Sequence, residues 1–254
     1  MHIESGQKEV SVSNTAKHEH LERLAKKIHD YLRTPERYDH DFIPPPFFIE
    51  FTGPASSGKS TSIRELYNFL RRHGFRVLKP QEGAEVIQHI PRTTPLYNIR
   101  TGMYALTQLI DLSQSHLYDV VLFDRCLYDA YTWMSYWRDK KLLSKKETEH
   151  YQTHFLSRFW RNEITVGYIM VCDPEIAARR ELRIALSEKL GDSTKPASIA
   201  KIRAHFVNTY DTLRATHPQL ELIDTSTLTE SAMVEMIGTR TLEILEQKIR
   251  ERGK

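Results

Sequence analysis

The chain has 254 residues, of which 40% are hydrophobic, enough for one large domain, or a domain with an extension, around a sizeable core. A formal net charge of +3 gives only weak support for nucleic acid as a partner. No apolar run is long enough to span a bilayer, and the N-terminal residues lack the apolar core of a secretory signal. Cys126 and Cys172 stand in no metal-binding spacing and fit thiols of a reducing compartment, so a soluble cytoplasmic protein is the expectation.

Residues 1–16 are polar and without period, which reads as a disordered tail. Leu21, Leu24, Ile28 and Leu32 then mark an amphipathic helix with a basic outer face, packed on the main domain or offered to a partner. Pro44-Pro45-Pro46 is a stiff connector. The chain thus divides into an extension, 1–45, and a main domain, 46–254.

Phe47 to Thr52 is a short aromatic and β-branched run and predicts a strand. The next stretch is Gly53-Pro54-Ala55-Ser56-Ser57-Gly58-Lys59-Ser60-Thr61, which fits G-x-x-x-x-G-K-[ST], the phosphate-binding P-loop. Ile63, Leu66, Tyr67 and Leu70 recur at helical spacing after it, and Gly74 is the expected stop. The motif therefore lies between a strand and a helix, as its mechanism requires. Gly53 and Gly58 let the backbone wrap around phosphates, and successive N–H groups with the positive end of the helix face the anion. Lys59 is the candidate ligand of the β- and γ-phosphates, and Ser60 that of Mg²⁺.

Arg76-Val77-Leu78 predicts a second strand, ended by Pro80-Gln81-Glu82-Gly83. A loop is expected from His89 to Arg100, then a helix carrying Met103, Leu106, Ile110 and Leu117. Val120-Val121-Leu122-Phe123-Asp124-Arg125 is the continuous apolar run of a central parallel strand, covered on both faces. Ser144 and Glu147 form a capping box. Val166 to Cys172 predicts a fourth strand, and Asp173-Pro174 opens the next helix with an N-cap and a first-turn proline. Gly191-Asp192-Ser193-Thr194 is a loop, and Ile199, Ile202, Phe206, Tyr210 and Leu213 mark a further helix. Leu220 to Asp224 is the last strand, and Thr227 and Glu230 are expected to cap a C-terminal helix. Strands alternating with helices point to a doubly wound α/β fold.

Asp124 ends an apolar strand downstream of the P-loop, a Walker B arrangement suited to Mg²⁺, since ligands of open α/β sheets bind at this edge. Arg125 is a phosphate clamp or the ion-pair partner of Asp124. Glu82, at the neighbouring strand end, is a candidate acceptor of the proton of an attacking hydroxyl, or an outer metal ligand, with Glu85 close enough to compete. Arg179, Arg180 and Arg183 open the helix after the fourth strand; Arg180 and Arg183 share a face and can offset charge on a transferred phosphoryl group from a closing lid. Gln108, Tyr104, Tyr128, Tyr131 and Trp133 are candidates for holding a base, or are core. His150 and His154 have zinc-pair spacing but lack the glutamate of H-E-x-x-H and a third ligand.

From Phe47 to Ser226 the pattern resembles the thymidylate kinase and deoxynucleoside kinase group of P-loop kinases. Phe48 through Thr61 looks like the deoxynucleoside kinase P-loop, with Ser56 in place of the usual glycine. Pro80-Gln81-Glu82-Gly83 is similar to the Arg-Glu-Pro-Gly stretch of thymidylate kinases without its arginine. Asp124-Arg125 matches their Asp-Arg signature, though Cys126-Leu127-Tyr128-Asp129 stands where a serine is expected. Ala55-Ser56 replaces the P-loop Asp of thymidylate kinases. Asp173-Pro174 with Arg180 and Arg183 looks like their arginine-lid segment. The resemblance implies a five-stranded parallel sheet with helices on both faces. It implies ATP and Mg²⁺ as donor, transfer of the γ-phosphate to a nucleoside or nucleoside monophosphate, and a homodimer as a candidate assembly. Another small molecule or a polynucleotide 5′-hydroxyl as acceptor, or a nucleotide-binding switch whose N-terminal helix meets a partner, are the alternatives. Either Glu82 or Asp124 is the base.

Overall fold

The computed structural model describes residues 4–34, 46–184, 191 and 194–252. Helix α1 (Glu4–Leu32) leads to strand β1 (Phe47–Thr52), α2 (Lys59–Arg72) and β2 (Val77–Leu78). Next come α3 (Gly83–Val86), α4 (Pro95–Ser113), β3 (Val120–Asp124), α5 (Leu127–Asp139), α6 (Lys145–Phe155) and α7 (Arg158–Arg161). The chain closes with β4 (Ile164–Val171), α8 (Pro174–Ile184), α9 (Pro196–Leu213), β5 (Leu220–Asp224) and α10 (Glu230–Arg252). All strand pairings are parallel, in the order β2-β3-β1-β4-β5. The expected doubly wound five-stranded sheet is the observed one.

Strand β1 is buried along its whole length between β3 and β4. Alternation along the strand sorts its side chains onto two faces. Phe47, Ile49 and Phe51 enter one core with α1, α2 and α10, through Ile28, Ile63, Leu70 and Leu245. Phe48 enters the other, with Leu109 of α4, Leu127 and Tyr128 of α5 and Phe206 of α9. Glu50 and Thr52 share the parity of Phe48, so both polar side chains of β1 face the α5 side. Both are fully buried.

Several local predictions are met by the geometry that motivated them. Gly74 has φ of 84°, and the Phe75 N–H donates to Leu70 O behind it, closing α2. Ser144 Oγ accepts from the Glu147 N–H while the Glu147 carboxylate accepts from the Ser144 N–H. Asp173 Oδ1 accepts from the N–H groups of Glu175 and Ile176.

Other predictions are corrected. Helix α1 begins at Glu4, where a disordered tail was expected. No Gly or Pro stands between Gln7 and Thr34, so a helix nucleated by the packed segment Leu21–Leu32 meets no break on its way back. Its apolar face belongs to the main core, and its end is tied down by Arg33, which pairs with the buried Asp119 at 3.0 and 2.6 Å. The expected loop His89–Arg100 gives way to α4 at Pro95, because proline is pre-set for the first helical turn. That helix ends at Ser113, and Leu117 lies beyond it, exposed. The cap of α10 is Thr229, whose Oγ1 accepts from the Ala232 N–H, rather than Thr227. Pro44 and Pro45, and Asp192 and Ser193 of the expected loop, lie outside the described residues. Among the described residues, no helix is long and apolar enough to cross a membrane.

Candidate active site

The loop from Gly53 to Gly58 turns the chain from β1 into α2. Gly53 has φ of 139°, and a Cβ there would stand 1.9 Å from Met170 O on β4. Only glycine fits so close a pass against a neighbouring strand. Gly58, at φ 96°, starts α2. Ser57 Oγ donates to Pro54 O at 3.0 Å, bracing the loop from within. Lys59 folds back over the loop, its Nζ donating to Pro54 O at 2.6 Å. Burial, and then the nearby Arg125 guanidinium, lower its pKa to about 8. A buried lysine so placed is short of negative charge, which suits it to an incoming phosphate. Ser60 is exposed at the first turn of α2, its hydroxyl open to a ligand.

Ser56 takes the left-handed conformation, with φ of 56°, at the position where the resemblance has glycine. Its Oγ donates to Glu181 Oε2 on α8 at 2.6 Å. A carboxylate from α8 thus stands against the phosphate-binding loop.

A cavity of about 460 Å³ opens beside this loop, lined by Gly53, Pro54, Ala55, Glu82, Glu85, Asp124, Arg125 and Asp129. Arg125 is its pivot. Its Nε pairs with Glu82 Oε1 at 3.0 Å and its NH1 with Asp129 Oδ1 at 3.0 Å. Burial disfavours the guanidinium charge, but Asp129, Asp124 and Glu82 outweigh that and hold it protonated. Burial raises the pKa of Glu82, with Arg125 opposing. Of the two sequence readings of Arg125, the structure contains the ion pair, with Glu82 and Asp129 as partners rather than Asp124. Of the two competing glutamates, Glu82 is the one joined to this network.

The structure brings together Lys59, Glu82, Asp124 and Arg125 at the carboxyl edge of the sheet. It does not bring Arg180 or Arg183 to the cavity. Arg180 donates to Thr225 Oγ1 at 3.0 Å and Thr225 O at 2.7 Å, and lies 3.4 Å from Leu228 O, binding α8 to the loop after β5. Thr225 Oγ1 in turn donates to Ser57 O of the P-loop at 3.1 Å. Arg183 is exposed, as is Arg179. The first turns of α8 pack on α9 and the β5 loop, which turns Arg180 away from the cavity.

Among the base-binding candidates, Trp133 lines the cavity and the others do not. The Tyr128 hydroxyl accepts from Gln219 deep in the α5 core, and the Tyr131 carbonyl accepts from Gln152. Tyr104 sits under Arg100. The cavity instead uses Tyr97, Asn98 and Thr101 from the first turns of α4, with Arg92 at its edge. Asn98 Oδ1 accepts from Trp137 Nε1 at 2.9 Å, which fixes its amide. Trp133 Nε1 is buried with no hydrogen-bond partner among the described residues. Tyr97 and Asn98 lie in the stretch whose sequence predicts a loop, where no face can be assigned, until Pro95 opens α4. Asp129 was visible only as a departure from the expected Asp-Arg-Ser. His154 packs its ring on Trp160, and His150 is exposed.

Residues 48–209 match the family model described as an AAA domain. The chain belongs to this family. Its fold is shared with solved P-loop kinases. Deoxyadenosine kinase from M. mycoides, with products dCMP and a flexible dCDP bound, is 16% identical at a TM-score of 0.56, over 77% of this chain and 98% of that one. The same enzyme with bound dATP gives 16% and 0.53, over 77% and 99%. Thymidylate kinase from Candida albicans gives 14% and 0.54, over 80% and 92%. Among curated proteins none matches the sequence. At these identities the likeness of this AAA-domain chain to the kinases is one of fold.

Proposed function

We propose that the protein is an ATP- and Mg²⁺-dependent kinase that transfers the γ-phosphate to a hydroxyl or phosphate of a nucleoside or nucleoside monophosphate. The observation that carries this reading is that the P-loop and the Glu82–Arg125–Asp129 wall line one cavity. A nucleotide-binding switch needs the first half of that cavity; a kinase needs both.

The residues present suit the donor. Lys59 and the loop amides of Gly53 to Thr61 would hold its phosphates, with Pro54, Ala55, Ser56 and Ser57 shaping the loop. Ser60 and Asp124 supply the hard oxygen ligands that Mg²⁺ takes. The ion, when bound, would neutralise charge on the phosphates. Arg125, fixed by two carboxylates, presents its remaining donors to a phosphate oxygen. Glu82, whose carboxyl burial pushes up with Arg125 opposing, is the carboxylate we assign to take a proton from an acceptor hydroxyl. Arg92 at the cavity edge fits an acceptor that already bears a phosphate. Phosphoryl transfer asks little covalent work of a protein, so positioning and electrostatics supply most of the rate.

The test is ADP release from ATP and Mg²⁺ across nucleosides, nucleoside monophosphates, sugars and 5′-hydroxyl oligonucleotides. Strong stimulation by a nucleoside or its monophosphate, lost in Lys59→Met, is the expected result. Stimulation by a sugar or oligonucleotide alone moves the acceptor class. A flat panel with tight ATP binding refutes the kinase reading in favour of a switch.

A further inference from the structure

Glu50 is an unusual residue for its place. It sits in the central strand, paired in register with Phe123 on one side and Gly167 on the other, and is fully buried. No motif calls for it. A carboxylate there must find donors, and among the described residues its hydrogen bonds are all to backbone amides. Oε1 accepts from the N–H of Cys126 at 3.0 Å and of Asp129 at 2.9 Å; Oε2 accepts from the N–H of Tyr128 at 3.1 Å. These are the orphan donors at the start of α5, whose own N-cap residue, Cys126, offers no side-chain cap. Glu50 caps that helix from another element.

The capped turn is the one that carries the cavity wall. Asp129 Oδ1 accepts from Thr52 Oγ1 at 2.7 Å and from Arg125 NH1 at 3.0 Å, and Arg125 reaches on to Glu82. Arg125 itself is left-handed, with φ of 70°, a sterically costly state for an arginine that persists only when its surroundings impose it. Two hydrogen bonds do so: Arg125 N–H to Phe51 O at 2.9 Å, and the neighbouring Cys126 N–H to Glu50.

We propose that Glu50 is a positioning residue of the phosphoryl-transfer site: through the first turn of α5 it aims Arg125 and Asp129 into the cavity, and it does so only as a carboxylate. The proposal rests on the kinase reading for its effect on turnover, though not for its effect on α5. Three N–H donors converge on two oxygens, so a protonated acid has a hydrogen where only acceptors fit. Burial raises the Glu50 pKa to about 7; the three N–H bonds oppose the rise and the Asp129 carboxylate adds to it. The Cys126 thiol and Tyr128 phenol also face it, and both are pushed up, by burial first and Glu50 next, so they stay neutral. Ionised Glu50, with α5 held, is thus the form above neutrality.

Two measurements test this. In ¹⁵N spectra of the full chain, the amides of Cys126, Tyr128 and Asp129 are expected to shift together with one midpoint near pH 7, and not to do so in Glu50→Gln. Independent behaviour of the three, or no titration, overturns the proposal, and the wild-type spectrum alone suffices if the variant fails to fold. In turnover, the ratio of wild-type to Glu50→Gln kcat is expected to fall about tenfold from pH 8 to pH 6, one pH unit below the midpoint, with KM for ATP unchanged. The amide titration, which does not pass through Glu82, separates this effect from a change in Glu82 transmitted by its Arg125 partner. A constant ratio overturns the proposal; co-titrating amides in a protein that no acceptor stimulates uphold the positioning and refute the kinase instead.

Discussion

Lys59→Met separates the lysine's task from its cost. The side chain is buried, with one close bond to Pro54 O at 2.6 Å. Its pKa falls from 10.5 to about 8, which corresponds to about 3 kcal/mol against the charged form at neutral pH. Loss of the Pro54 bond returns about 1 kcal/mol. The nucleotide-free variant is therefore expected to be more stable than wild type by about 2 kcal/mol, or about 4–8 °C in Tm for a chain of this size. The sign also shows in pH. The folded pKa lies below the unfolded one, so between pH 8 and 10.5 the unfolded chain binds more protons, and wild-type stability rises with pH across that window. The variant lacks that rise. ATP with Mg²⁺ then reverses the order, stabilising wild type in proportion to its affinity and the variant far less. Thermal unfolding with and without nucleotide measures all three. A nucleotide-free Lys59→Met less stable than wild type at pH 7 would show that the lysine is a structural prop, and the reasoning would fail.

Asp119→Ala removes the carboxylate shared by Arg33 and Arg76; breaking such a pair costs about 3–5 kcal/mol when fully buried. Here the two arginines are 29% and 43% exposed and can turn to water, so about 2 kcal/mol is expected by urea unfolding. Burial pushes the Asp119 carboxyl up, but its bonds to Arg33 and Arg76 outweigh this and hold it below its ordinary value. Its contribution is accordingly present above about pH 4 and lost as pH falls through the lower folded value, so the wild-type advantage over Asp119→Ala should shrink on acidification. Glu181→Gln removes a negative charge beside the P-loop while keeping an acceptor for Ser56. ATP should bind about fivefold tighter, a gain of about 1 kcal/mol at solvent-like screening, and unchanged or weaker binding by calorimetry would sink the idea. Arg180→Ala should lower Tm through lost bonds to Thr225, whereas exposed Arg183→Ala should not; equal stability of the two would refute the structural role of Arg180.

What the sequence determined by itself is what is settled within a few residues. The P-loop is a loop because Gly53 and Gly58 stand between a strand-forming run and a helical period. Gly74 ends its helix, Ser144 and Glu147 cap theirs, and Asp173 caps α8, each through bonds spanning four or five residues at most. Asp124 is legible as a strand end, and Glu82, which the structure places at the start of α3, as lying just past one; strand ends meet at one edge of any parallel sheet. Tertiary structure decided everything that depends on which strand neighbours which, and which face a side chain takes. Glu50 reads as an odd residue in an apolar strand until the sheet order brings it beneath Cys126, 76 residues away. Arg180 reads as a lid arginine until α8 settles on the β5 loop. Trp133 and Tyr128 look alike in sequence, yet one lines the cavity and the other is sealed under β4, because a helix buried on most sides needs aromatics all round. Local hydrogen bonds are written in spacing; burial and long-range pairing exist only once the chain has closed on itself.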